Sequence, residues 1–199
     1  AFMLDSSTAY FKIGEFSRTT MDEFKATYPY NNPKVKTVVM DLRGNGGGYL
    51  NTCTQLADEF LKDAELIVYT QDRQHEQHKM FATPEGKFEN VKLYVLIDYE
   101  SASASEIFAG AMQDLDRAIL IGEQTFGKGL VQGTRVLDDQ STLYITAARY
   151  HLPSGRCVHK NQIKTPLTNS SDKSIQKKFH TLNGRVVKAY SGVSPDVVL

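Results

Sequence analysis

Ser101-Ala102-Ser103-Ala104-Ser105-Glu106-Ile107-Phe108-Ala109-Gly110-Ala111 opens the stretch that decides how this chain folds. It runs on through Arg117-Ala118-Ile119-Leu120-Ile121-Gly122 and closes with Thr125-Phe126-Gly127-Lys128-Gly129-Leu130-Val131-Gln132. Ala104, Ile107, Phe108, Ala111, Met112 and Leu115 recur at the spacing of one apolar helix face. The spacing predicts a helix that starts beside Ser103 and lays one stripe on a core. A short apolar strand, Ala118 to Ile121, follows, then a glycine-flanked turn around Lys128.

A helix start presents unpaired N–H groups and the positive end of the helix dipole. A hydroxyl placed there can attack a carbonyl while those N–H groups receive the oxyanion. The same residues, Ser103-Ala104-Ser105-Glu106, also form a Ser-x-x-Glu capping box, which needs no chemistry. Ser101 and Ser105 compete for either role, so the helix alone does not choose. A serine nucleophile also needs a base. None of the five histidines (His75, His78, His151, His159, His180) lies in a segment built to hold a triad. Lysine can substitute when desolvation favours its neutral form. Lys128, between Gly127 and Gly129 and flanked by apolar runs, is the candidate; an exposed turn lysine is the commoner fate of that residue type.

Outward from this stretch, Ala9, Phe11 and Ile13 alternate with Tyr10 and Lys12 as in a strand. Thr20-x-x-Glu23 reads as a capping box opening a short helix that Pro29 stops. Thr37 to Leu42 is an apolar run suited to a strand covered on both faces, and a helix from Leu50 to Leu61 follows. The loop between them, Arg43-Gly44-Asn45-Gly46-Gly47-Gly48, lies where α/β proteins tend to place sites. Further strands are expected over Glu65–Gln71, Val91–Ile97, Leu130–Val136 and Thr142–Ala148, with hairpin turns at Asp138–Ser141 and Asn183-Gly184. Gln74 to His78 reads as a solvated polar stretch, and residues 161–178 as an exposed polar loop or helix start.

Two motifs suggest nucleotides and fail on inspection. Gly44-x-Gly46 needs a glycine at position 49, which is Tyr49. Gly122-x4-Gly127-Lys128 fits a phosphate loop up to the lysine, but Gly129 stands where Ser or Thr should hold magnesium, and the sequence beyond reads as strand. The histidines of Gln74-His75-Glu76-Gln77-His78 lack zincin spacing, so no metal site and no cofactor are expected.

Five blocks in order resemble the C-terminal processing peptidases, or tail-specific proteases, a family of Ser–Lys endopeptidases. They are Asp41 to Gly48, Ser101 to Ala111, Ile121 to Gln132, Tyr150-His151-Leu152-Pro153-Ser154-Gly155-Arg156, and Gly192-Val193-Ser194-Pro195-Asp196. The resemblance implies Ser103 as nucleophile, Lys128 as general base and Gln132 as the residue supporting that lysine. It implies an oxyanion hole from the N–H of Ala104 and of a glycine in the 46–48 run, Gly48 first and Gly47 next. Glu106 is implied as a supporting residue that orients the helix start. The implied fold is α/β, a Clp/crotonase-like spiral core with a mixed sheet and flanking helices. The implied setting is a cell envelope or periplasm, with protein or peptide substrates. A PDZ domain usually precedes this region in the family. None is evident here, so residues 1–199 read as one peptidase core. A silent binding module on the same fold and, more remotely, a nucleotide-binding protein are the competing readings.

Composition bounds the rest. With 199 residues and 41% apolar content, the chain supports one core-forming domain. Twenty-three basic residues balance 23 acidic ones, which argues against nucleic-acid binding. No apolar run reaches membrane-spanning length. A homo-oligomer is compatible with this composition. Cys53 shares a helical stripe with Leu50, Leu56, Ala57 and Phe60 and reads as buried, while its relation to Cys157 is open.

Overall fold

The computed structural model describes residues 1–160, 178–189 and 191–199. In chain order the elements are β1 (Phe2–Met3), β2 (Thr8–Lys12), α1 (Thr20–Ala26), α2 (Tyr28–Asn31), β3 (Thr37–Asp41), α3 (Leu50–Asp58), β4 (Leu66–Asp72), β5 (Gln77–Phe81) and β6 (Lys92–Ile97). There follow α4 (Ala104–Asp114), β7 (Ile119–Gly122), β8 (Leu130–Val136), β9 (Thr142–His151), β10 (Phe179–His180), β11 (Val186–Val187) and β12 (Val197–Val198). The result is the mixed α/β architecture with a mixed sheet.

The first sheet has the order β1-β2-β3-β6-β7-β12. Only β1 runs antiparallel; β2, β3, β6, β7 and β12 are parallel to their neighbours. The strands alternate: Ala9, Phe11, Val38, Met40, Leu93, Val95, Ile97 and Leu120 are buried on one face, while Tyr10, Val39, Tyr94 and Leu96 between them are half-buried, so Thr37–Leu42 is not a strand sealed on both faces as its apolar run suggested. The second sheet, β5-β4-β9-β8, is antiparallel throughout. Because β3, β6 and β7 are adjacent and parallel, the loops after them leave the same sheet edge side by side. Those loops are 42–49, 98–103 and 123–129, and they hold every candidate residue except Gln132 and those on α4.

Helix α4 departs from the expected single stripe: every residue from Ala104 to Asp114 is buried. It packs against α3, against β4 of the second sheet and against β7 of the first, so no face is left to solvent. Burial of its polar residues is compensated at each position. Gln113 donates to the Ser194 carbonyl and to Asp196. Asp114 pairs with the fully buried Arg156 at 2.7 Å and accepts the Ser154 N–H at 3.0 Å. Desolvation pushes the Arg156 guanidinium below its usual range, and the Asp114 charge opposes it. At Gly110 the helix touches the turn after β9 so closely that a β-carbon would collide with the Leu152 side chain.

Four further expectations need correcting. Pro29 does not end the chain's helical course; it occupies the first turn of α2, where its missing N–H costs nothing. Thr20 is the first residue of α1 and not its cap, because its hydroxyl donates to the Glu15 carbonyl and accepts the Ser17 N–H. Residues 77–81 are strand β5, polar yet paired with β4, since an exposed edge strand needs no apolar face. Helix α3 ends at Asp58, short of Leu61. The hairpin at Asn183-Gly184 joins β10 to β11, with Gly184 at φ 86°. The polar stretch expected over 161–178 lies, apart from Lys178, outside the described residues. Cys53 and Cys157 are both buried and unbonded to each other.

Gly110→Ala is expected to destabilise the protein by about 1–3 kcal/mol through overpacking. Leu152→Ala, which opens the space, should recover part of that loss in the double variant, as read by urea denaturation.

Candidate active site

The three serines around the start of α4 have different uses. The Ser101 hydroxyl donates to the Leu42 carbonyl at 2.9 Å, and the Ser105 hydroxyl donates to the Asn45 carbonyl at 2.9 Å. Both are buried and spent on tying α4 to the glycine loop. The Ser103 hydroxyl donates no hydrogen bond to another described residue, and the residue is half-buried. Its backbone lies at φ 57°, ψ −113°, a region that residues with a β-carbon rarely occupy. Strain of this kind costs about 1–3 kcal/mol and persists only where neighbours enforce it.

The enforcing neighbour is Glu106, which has no solvent exposure. One carboxylate oxygen accepts the Thr125 hydroxyl at 2.6 Å and the Gly127 N–H at 2.7 Å. The other accepts the Ser103 N–H at 3.0 Å and the Lys128 N–H at 2.7 Å. Ser103 and Glu106 do form the capping box, but its clear hydrogen bond is the one from Ser103 N–H to carboxylate; the Glu106 N–H itself reaches the Ser103 carbonyl at 3.0 Å. Burial pushes the Glu106 carboxyl above the ordinary range, opposed by the donors from Thr125, Lys128, Ser103 and Gly127. The Thr125 hydroxyl accepts the Val193 N–H at 2.7 Å, so its proton is committed to Glu106. All four partners donate, which suits the carboxylate anion.

The backbones of Ser103 and Lys128 therefore share one oxygen atom. Their side chains are not hydrogen-bonded to each other, and among the described residues the Lys128 ammonium has no ion-pair or hydrogen-bond partner. Gln132 lies on β8, exposed, opposite Thr146 and beside a register shift; it makes no hydrogen bond to Lys128.

The glycine loop is organised by Asn45, fully buried. Its amide donates to the Ile13 carbonyl and accepts the Gly47 N–H, each at 2.8 Å, and its own carbonyl accepts the Ala102 N–H at 3.0 Å. The Gly47 N–H is thus occupied, whereas those of Gly48 and Ala104 carry no hydrogen bond among the described residues. A β-carbon on Gly47 would lie 2.7 Å from the Ser103 β-carbon and 3.0 Å from the Ala104 nitrogen. A β-carbon on Gly48, at φ 139°, would collide with the Phe16 carbonyl. Before the loop, the Asp41 carboxylate receives a bidentate contact from Arg43, at 2.9 and 2.8 Å, and the Tyr10 hydroxyl. Despite burial, these donors hold Asp41 well below the usual carboxylate range. After it, Asp98 receives the Gly44 N–H at 3.0 Å.

The histidines take other parts. His151 stacks on Tyr69 at 4.8 Å, and burial moves the His159 imidazole below its usual value. Among the described residues no cluster of His, Cys, Asp and Glu could hold a metal. A cleft of about 540 Å³ lined by Phe11, Ile13, Gly14, Glu15 and Phe24 lies near Phe16 but contains none of the candidate residues. Asn45, Thr125 and Asp98 were not singled out from the sequence. Their only signal was a polar residue inside a glycine-rich or turn segment.

Glu106→Gln places an amide NH2 against two N–H donors. It is expected to destabilise by about 2–4 kcal/mol, read as a lowered denaturation midpoint.

Comparison with known proteins adds the following. The family model described as Peptidase family S41 matches residues 7–168. The chain is 34% identical over 201 residues to a carboxyl-terminal-processing protease of Synechocystis sp., covering 94% of this chain and 47% of that protein. It is 38% identical over 150 residues to carboxyl-terminal-processing peptidase 3, chloroplastic, of Arabidopsis thaliana, covering 75% of this chain and 29% of that one. Among solved structures it resembles a photosystem II D1 C-terminal processing protease, with a TM-score of 0.74 and 29% identity over 96% of this chain and 42% of that one. The chain spans less than half the length of these relatives.

Proposed function

We propose, starting from the fact that this chain belongs to peptidase family S41, that it is a serine endopeptidase with Ser103 as nucleophile and Lys128 as general base. The observation that carries this reading is the sorting of hydroxyls: Ser101 and Ser105 donate to carbonyls, while Ser103, strained and half-buried at a helix start, donates its proton to no described residue. In the proposed reaction Lys128, in its neutral form, takes the proton from the Ser103 hydroxyl as that oxygen attacks a peptide carbonyl. The free N–H groups of Gly48 and Ala104 receive the oxyanion. Lysine returns the proton to the leaving amine, and water cleaves the acyl-enzyme. Glu106 acts as a positioning residue through the backbones of Ser103 and Lys128. Gln132 would support Lys128 only after a rearrangement of β8. No metal or cofactor takes part.

The substrates proposed are proteins or peptides cut near their C-termini, in a cell envelope or periplasm. Among the described residues no helix is long and apolar enough to cross a membrane. Residues 1–199 are proposed as the catalytic core, and a homo-oligomer is compatible with it. The lack of a hydrogen bond between the Ser103 and Lys128 side chains favours a second reading, a scaffold that binds peptide without cleaving it. A fluorophosphonate probe discriminates: labelling at Ser103 supports the peptidase, and absence of labelling supports the binding module.

Ser103→Ala and Lys128→Ala should each lower kcat/KM for a peptide by about a thousandfold or more with little change in Tm. Ser103→Gly should be inactive yet about 1 kcal/mol more stable than Ser103→Ala, because glycine relieves the strained backbone.

A further inference from the structure

Next to Lys128 stands a group that the proposed chemistry does not use. The Lys160 ammonium lies over the rings of Tyr99 and Phe126, 4.9 and 5.2 Å from their centroids. The two rings meet edge-to-face, 5.7 Å apart, and are 55% and 42% exposed. Ring faces attract a cation through their quadrupoles and shield one side of it from water. Among the described residues no carboxylate pairs with this ammonium. Exposed rings beside an unneutralised cation form a surface with apolar area and a positive charge and no internal partner for either.

The placement is built into the backbone. Gly127, at φ 91°, has no side chain, and a β-carbon there would lie 2.7 Å from the Lys160 γ-carbon. The lysine stem thus runs across the residue preceding Lys128. The Lys160 N–H donates to the Gly127 carbonyl at 3.1 Å, and the Phe126 N–H to the Ser101 carbonyl at 3.0 Å. Tyr99 belongs to the turn that leads into Ser103. The cation and both rings are therefore anchored to the two loops that carry Ser103 and Lys128.

We propose that Lys160, seated on Tyr99 and Phe126, is a substrate-recognition residue that binds a peptide carboxylate beside Ser103. The inference rests on the peptidase reading for its meaning, but not for its test. The carboxylate can come from a chain end or from an acidic side chain. In either case it meets the open side of the ammonium, while an apolar neighbour in the peptide covers the rings.

The test measures binding without turnover, in the full chain carrying Ser103→Ala. The probe is a fluorescein-labelled alanine–leucine octapeptide in four forms: free acid, C-terminal amide, and the amide with one internal glutamate or one internal glutamine. Anisotropy titrations at low salt are expected to show the free acid or the glutamate peptide binding about tenfold tighter than its neutral counterpart. Which of the two gains identifies the source of the carboxylate. Lys160→Met, which keeps the aliphatic stem, should erase the difference, and Lys160→Arg should keep most of it. Equal binding of charged and neutral peptides, or an advantage that survives Lys160→Met, overturns the proposal. Cleavage of these peptides by the wild-type chain is scored separately. A chain that cleaves none of them counts against the peptidase reading and leaves the Lys160 comparison decisive on its own terms.

Discussion

One buried carboxylate holds the candidate site together. Glu106 sits in the first turn of a helix sealed on every side and accepts four donors, from Thr125, Gly127, Lys128 and Ser103. Two of the donors belong to residues proposed to react. A carboxylate removed from water is costly unless its lone pairs are filled, and here four donors fill them. The same bonds that satisfy it clamp the loop after β7 to the start of α4. The parallel order of β3, β6 and β7 brings the three loops together, and Glu106 ties two of them, 98–103 and 123–129, to each other.

Around that anchor, polar side chains are used to leave particular groups unused. Asn45 occupies the Gly47 N–H and draws the glycine loop onto Ala102 and Ser105. Ser101 and Ser105 consume their hydroxyls on backbone carbonyls. Among the described residues, the Ser103 hydroxyl donates to no group, the N–H groups of Gly48 and Ala104 are unpaired, and the Lys128 ammonium has no partner, which are the groups an acyl transfer uses. The positive φ of Ser103 fits this view, since a strained residue is retained only where its surroundings over-determine it.

Local patterns carried much of the fold. The positions of β2, β3 and β6 follow from apolar spacing, because each buries alternate side chains on the face that the chain's own period defines. What local reading could not reach depends on contacts far along the chain. The all-round burial of α4 requires Arg156 and Ser194 to meet Asp114 and Gln113. Pro29 looked like a stop because its role at a helix start depends on Thr27 accepting the Tyr30 N–H. Strand β5 was missed because its pairing, not its polarity, makes it a strand. In the site, Ser103 and Lys128 stand out by their setting at a helix start and in a glycine-flanked turn, the resemblance adds Glu106, Gly48 and Ala104, and the backbones of Ser103 and Lys128 meet on the Glu106 carboxylate. Asn45 and Thr125 escaped notice because a polar residue in a loop is unremarkable until its partners are known. Gln132 stands apart, on an exposed strand.

The account's central claim is that Glu106 brings Ser103 and Lys128 into one reactive unit. A crystal structure of the chain with Ser103 phosphonylated by a fluorophosphonate tests it most directly. The account predicts the Lys128 Nζ within hydrogen-bond distance, about 2.6–3.2 Å, of the Ser103 Oγ, with all four donors still on Glu106. A phosphonylated Ser103 with the lysine turned away to solvent, or a Glu106 that has let go of either backbone, would contradict it.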